Sequence, residues 1–325
     1  MSPLSLKFER VCERPKAPDN FSLATASVSA GGEGLFLYVE NDRAGDVHAR
    51  EERGASFPKP RMPEAKAFKL FVCKDEGTRS IDIPPLDISF PHVELFPDGR
   101  VLVAGARCAW RGPDDFDRNG AIFDPRTGEV RRVLLGDGIA DVAVDEAGRI
   151  WASYFDEGVF GNFGWGIPGP SGPGAGGLVC FDATGQQLWR FNRDDSKALI
   201  DDCYAMHATR RLISVFFYSD FKVCEVGMDF AQTFYEPTDL AGSHAIAASS
   251  KAFLLSSQYD EPTDTMHLVL RKGDQLTARR QVTALVPDGM PTRGAKLVGR
   301  AECMHVLNES GWFRASLEEL VAAAI

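Results

Sequence analysis

One unit recurs along the chain: a short apolar strand, a polar turn, and a second strand rich in β-branched and aromatic residues. The clearest copy is HVELFPDGRVLVAG, from His92, and the next is DVAVDEAGRIWASY, from Asp141. Both close the turn with Gly-Arg. The same frame fits CYAMHATRRLISVF from Cys203 and SHAIAASSKAFLLS from Ser243, and more loosely ASVSAGGEGLFLY from Ala26 and CMHVLNESGWFRA from Cys303. The starts lie 66, 49, 62, 40 and 60 residues apart (92−26, 141−92, 203−141, 243−203, 303−243). A second hairpin follows within the unit. Leu178–Asp182, a turn through Gly185, and Gln187–Phe191 form one copy; Ala121–Asp124, Pro125–Gly128 and Val130–Leu135 form another. A strand, a Gly-bearing turn and a strand make a hairpin. Two hairpins per unit make a four-stranded blade, and blades of this length are a propeller period.

Closure follows from burial. A lone four-stranded sheet with two apolar faces hides neither; stacking blades buries both. The expected fold is therefore all-β: a single six-bladed β-propeller domain over residues 1–325, of four-stranded antiparallel blades, ending in a short helix. The last unit shows two strands after Cys303, then Ser316-Leu317-Glu318-Glu319, a capping box that opens the helix. Leu4, Leu6 and Phe8 alternate with polar residues, so a strand over 4–11 is expected to close the last blade.

The blade pattern resembles six-bladed propellers of the NHL and gluconolactonase-like groups, most closely in Leu135-Gly-Asp-Gly-Ile-Ala-Asp141 continuing as DVAVDEAGRIW. For the lactonase group the resemblance implies a divalent cation in the central channel, held by Glu, Asn and Asp. The Asn-Gly-rich metal segment of that group has no counterpart in this chain.

The net charge of −10 disfavours nucleic acid and anionic membrane surfaces as partners. The N-terminus carries charges where a secretion signal needs an apolar core, and no apolar run has the length of a membrane span. The 7 cysteines are odd in number, scattered and without a CxxC pair, so reduced thiols and a cytoplasmic location are expected. No GxSxG, HExxH or P-loop is present.

In a propeller, loops leaving second strands share a face with the starts of inner strands. Three long loops, 42–64, 108–119 and 158–176, follow second strands and are expected on one face. The third, rich in Gly and Pro, contains Phe160, Phe163 and Trp165, aromatics suited to covering a ligand or pinning the loop. The mouth beneath is expected to use His92, Arg107, Asp141, Asp156, Glu157, Asp202, His244 and Trp165 to bind a small polar ligand or a protein segment, with no cofactor. The alternative is a metal-assisted hydrolase or lactonase in which His92, Asp141 and Asp202 hold a divalent cation.

Overall fold

The computed structural model describes residues 4–42, 45–52, 56–191, 198–236, 240–287 and 292–324. The chain is all-β, a succession of the four-stranded antiparallel meanders that form propeller blades. It falls into two compact units: Pro15–Ser29 with Glu33–Cys203, and Met1–Arg14 with Ala30–Gly32 and Tyr204–Ile325.

The Pro15–Cys203 unit holds three meanders. The first sheet runs Phe21–Val28, Gly34–Glu40, Arg61–Lys74 and Gly77–Ile88; the second Pro91–Leu95, Val101–Gly105, Gly120–Phe123 and Val130–Val133; the third Ile139–Val144, Ile150–Tyr154, Leu178–Phe181 and Gln187–Arg190. The second sheet shows why its two middle strands, Val101–Gly105 and Gly120–Phe123, are apolar on every residue. In Val101–Gly105, Val101 and Val103 pack with Leu35, Leu37, Leu70 and Ile83 of the first sheet. Leu102 and Ala104 face the other way, onto Val142, Val144, Ala152 and Val179 of the third. A strand covered on both faces reads as a continuous apolar run, and each fully buried Val or Leu contributes about 1.5–3 kcal/mol. The turns are set by aspartates. Asp145, fully buried, accepts Ala147 N–H at 3.0 Å, Arg149 N–H at 2.9 Å and Trp151 Nε1–H at 3.0 Å. Asp182 and Asp124 accept backbone N–H groups two residues ahead in the same way, the Asx-turn chemistry that makes Asp a turn former.

The other unit contains Leu212–Ser219, Lys222–Gly227 and Gln232–Tyr235, outer strands of the meander begun by Ile200–Ala208. Next come Ile246–Ala248, Ala252–Ser256, Thr265–Lys272 and Gln275–Leu285, then Lys296–Arg300, Cys303–Asn308 and Gly311–Ser316. The C-terminal helix, Leu317–Ala324, buries Leu317, Leu320, Val321 and Ala324 against Met304, Phe313, Leu6 and Phe8.

Two expectations change here. The strand expected over 4–11 divides at Phe8. Glu9–Glu13 pairs antiparallel with Gly311–Arg314 of the last meander, but Leu4–Lys7 runs parallel to Val282–Leu285 of the preceding one. Alternation fixes which face a strand presents, not which neighbour it takes. The second change concerns Cys303, expected to open an inner strand. Lys296–Arg300 comes first, and Cys303–Asn308 is the next strand of that sheet. Lys296–Arg300 contains Gly299, where any Cβ would collide with the backbone of Ile246. Close backbone approach requires glycine inside a strand and disguises the strand as a loop.

Candidate functional site

The long loops of the Pro15–Cys203 unit meet one another. In the first, residues 43, 44 and 53–55 lie outside the described residues; the rest forms a 3₁₀ turn at Asp46–His48 and a hairpin of Arg50–Glu52 with Ser56–Pro58. The second folds as the hairpin Trp110–Gly112 with Asp115–Phe116. The third holds one helical turn, Asp156–Phe160, and a 3₁₀ turn, Pro173–Gly176.

Second and third loops are locked together. Trp165 is buried and donates its Nε1–H to Cys108 O at 3.0 Å, while Trp110 N–H donates to Phe163 O at 2.9 Å. Gly164, at φ +91°, passes so close to Trp110 O that a Cβ there would clash. Beneath this seam lies Arg107, 4% exposed. Its guanidinium bonds Asp137 at 2.9 Å and Glu157, and stands under Phe163 and Phe155 at 4.7 Å and 5.3 Å from the ring centres. Burial pushes the Asp137 carboxyl up to about 7. The Arg107 charge and the Cys108 N–H, 2.8 Å away, oppose that shift and favour the carboxylate. The Cys108 thiol is pushed far up by burial and by Asp117 and Asp137, so it is no nucleophile at neutral pH.

The residues expected at the mouth fare differently. Arg107 and Glu157 are brought together, and Trp165 closes over the same strand end. Asp202 is partly exposed, and its carboxyl is pushed up to about 6 by burial and by the charge of Asp156. Asp156 is exposed and accepts Glu157 N–H at 2.7 Å. His92 Nε2 meets Ile139 O at 3.2 Å, and Asp141 accepts Val142 N–H at 2.9 Å. Both polar side chains therefore serve backbone groups. His244 belongs to the other unit, stacked on Tyr204 at 5.3 Å between ring centres. Among the described residues no three His, Cys, Asp or Glu side chains assemble into a set able to hold a metal ion. His92, Asp141 and Asp202 are thus not brought into a ligand set, and the alternative cation centre loses its geometry.

A concave site lies elsewhere on the same unit, where the end of the first loop meets the end of the second. A cavity of about 260 Å³ is lined by Pro60, Arg61, Asp87, Ile88, Gly105, Phe116, Asp117, Arg118, Asn119 and Arg132. Its floor is fixed by Asn119, which is buried, donates Nδ2–H to Gly105 O at 2.7 Å and Gly136 O at 2.8 Å, and accepts Leu135 N–H at 3.1 Å. Arg132 is committed: it donates to Arg118 O at 2.7 Å and pairs with Asp87 at 3.0 Å. Asp117 is committed to Arg111 at 2.7 Å and to Ala109 N–H at 2.9 Å. Arg61 reaches only the far edge of that carboxylate, at 4.0 Å. The exposed Arg118 guanidinium lies over Phe116, 5.5 Å from the ring centre. A wider, more open hollow of about 590 Å³ continues past Pro60, Arg61 and Asp87 to Lys59.

Sequence reasoning singled out the two loops but missed Arg61, Phe116, Arg118 and Arg132. Arg61 opens a third strand and Arg118 lies just before one, at the ends of two long loops, a position that marks them only once the loops are known to meet. Asp137 was hidden in the Gly-Asp-Gly turn.

No family model matches the chain, and no curated protein matches it. Solved structures similar to it include virginiamycin B lyase from Staphylococcus aureus, 10% identical, covering 92% of this chain and 95% of that one, at a TM-score of 0.47. The Neurospora crassa Pan2 WD40 domain is 10% identical over 96% and 95% of the two chains, at 0.43. A putative 6-phosphogluconolactonase from Bacteroides fragilis is 10% identical over 76% and 71%, at 0.41. These are β-propeller proteins with a lyase, a WD40 domain and a lactonase among them, and no activity passes from them to this chain.

Proposed function

We propose that the protein is a binding module that takes a small polar ligand on the loop-bearing side of its Pro15–Cys203 unit. The observation that carries this reading is the cavity between the first and second loops, with its floor fixed by Asn119 and arginines along its wall. Concave sites with a few convergent polar groups are where small ligands bind, and this one is below the usual range of about 300–1,000 Å³ for drug-sized molecules, so the ligand is small. The locked seam of Arg107, Asp137, Glu157 and Trp165 holds the second loop in place and so shapes the cavity. Function as a cytoplasmic binding protein in one propeller domain, without nucleic-acid or membrane partners, accords with the net charge of −10 and the 7 cysteines, all of which are free thiols.

The test is a nuclear magnetic resonance screen of small polar compounds of both charge signs against labelled protein. The reading expects saturable shifts at Gly105, Phe116 and Asn119. Shifts confined to other surfaces, or none, would remove the cavity as the site.

A further inference from the structure

We propose that the ligand of this cavity is a small organic anion, a carboxylate or phosphate on a compact apolar body, held by Arg118 and Arg61. The proposal rests on the reading of the cavity as a binding site and adds the chemistry of what fills it.

The argument compares what each cavity charge already does. Arg132 spends its donors on Asp87 and on Arg118 O. Arg111, beside the cavity, spends its own on Asp115 and Asp117 at 2.9 and 2.7 Å. Asp87 and Asp117 are therefore answered. Among the described residues Arg61 comes no nearer to a carboxylate than 4.0 Å, from an oxygen that Arg111 already bonds. Arg118 has no acidic partner among the described residues; its guanidinium lies over the Phe116 ring. In a chain of net charge −10, two under-used guanidinium groups lining one cavity are the reverse of the average surface. Carboxylates are plentiful, yet none among the described residues is placed to neutralise Arg118.

Guanidinium groups carry a planar fork of donors that matches the two oxygens of a carboxylate or phosphate. Stacking on Phe116 limits the freedom of Arg118, so less entropy is lost when the fork engages. The lining also holds apolar side chains, Phe116, Ile88 and Pro60. A bare inorganic ion would leave them unused; an anion on a flat or compact apolar body uses both the arginines and the apolar lining. A cation would meet Arg61, Arg118 and Arg132 without a free carboxylate to receive it. An uncharged molecule would desolvate the guanidinium groups with no compensating charge.

The experiment titrates benzoate, phenyl phosphate and inorganic phosphate into the protein at low ionic strength, with benzylamine and benzyl alcohol as cationic and neutral counterparts. Binding is read by calorimetry and by resonance shifts. The proposal expects benzoate or phenyl phosphate, or both, to bind at Phe116 and Asn119, more tightly than inorganic phosphate. The stronger of the two identifies the anionic group. Arg118→Gln should weaken that binding by about tenfold or more, the loss of one charge-assisted pair. Arg118→Lys should restore only part, since it returns the charge without the fork. Affinity should fall as salt rises. Equal unfolding midpoints for these variants and the parent protein separate lost contact from lost fold. Benzylamine or benzyl alcohol shifting the cavity resonances while the anions do not would overturn the anion proposal and leave the binding reading standing. No compound shifting them would overturn both. Anion binding that Arg118→Gln leaves unchanged would overturn the proposal as well.

Discussion

Arg107 and Arg118 stand on the same unit, one at the end of a second strand and the other close to the start of the next, and they are treated in opposite ways. Arg107 is 4% exposed, shared between Asp137 and Glu157, and covered by two aromatic rings. Arg118 is exposed, lies over one ring, and meets no carboxylate among the described residues. A buried charge without its partners costs several kcal/mol, so Arg107 is built into the fold. An exposed charge without a partner costs almost nothing, so Arg118 is not needed by the fold. The difference teaches where to look for function. The predicted mouth drew attention through its density of charged residues, but much of that charge answers itself. The cavity is lined by as many charged groups but leaves more of their donors unused.

This contrast is easiest to break at Arg107. Arg107→Ala should lower the unfolding free energy by about 3 kcal/mol, because Asp137 stays buried without its cation. The loss should widen as pH rises through about 7 and above, where Asp137 ionises beside Arg107 in the parent protein and keeps its proton in the variant. Asp137 is already held above its unfolded value, so the folded state binds the extra proton and stability falls with rising pH; removing Arg107 raises that carboxyl further. Denaturant titrations at several pH values measure both. A loss below about 1 kcal/mol would mean that Arg107 is as dispensable as Arg118.

Trp165→Phe comes next, at about 1–2 kcal/mol, for the lost bond to Cys108 O and looser packing in the seam. Its unfolding midpoint sharpens the contrast by showing whether the third loop is part of the fold. A surface-loop argument from chain entropy alone predicts that 164–174 can be deleted without harm. The buried Trp165 and the closely packed Gly164 and Gly174 reverse that expectation.

Asp202→Asn should act in the opposite direction, stabilising the protein by about 1 kcal/mol at pH 7 once solvent screening is allowed for. The folded carboxyl sits at about 6, above its unfolded value, so the wild type binds more protons when folded and loses stability as pH rises through that interval. The gain should shrink as pH falls toward 4 and is read from the difference between two pH–stability curves. A destabilised variant would show that Asp202 has a partner that favours its charged form.

The fold was legible where the sequence repeats hairpins with Asp- and Gly-bearing turns, because turn chemistry and period-two burial are local. Partnership was not. Leu4, Leu6 and Phe8 announce a strand, yet nothing in their alternation says that 4–7 adds to Val282–Leu285 and 9–13 to Gly311–Arg314. Lys296–Arg300 gives no strand signal in the sequence, because Gly299 and the fully buried Arg300 are poor strand formers; tertiary approach to Ile246 selects Gly299. At the site, Arg107 and Glu157 were legible as polar ends of second strands. The cavity was not, because Arg61 opens a strand of the first sheet and Arg118 lies in the second loop, and they come together only after both have folded. His92, Asp141 and Asp202 form no metal set among the described residues; strand starts also offer backbone groups, and His92 and Asp141 serve Ile139 O and Val142 N–H.

The smallest expected effect on stability is the most informative. Arg118→Gln should change the unfolding free energy by no more than about 0.5 kcal/mol, as for any surface position outside the fold's contacts. Measured side by side, stability and benzoate or phenyl phosphate affinity of Arg118→Gln test the central claim directly. The account predicts unchanged stability with affinity reduced about tenfold or more. A variant destabilised by about 2 kcal/mol, with anion affinity intact, would contradict it and make Arg118 a second structural arginine.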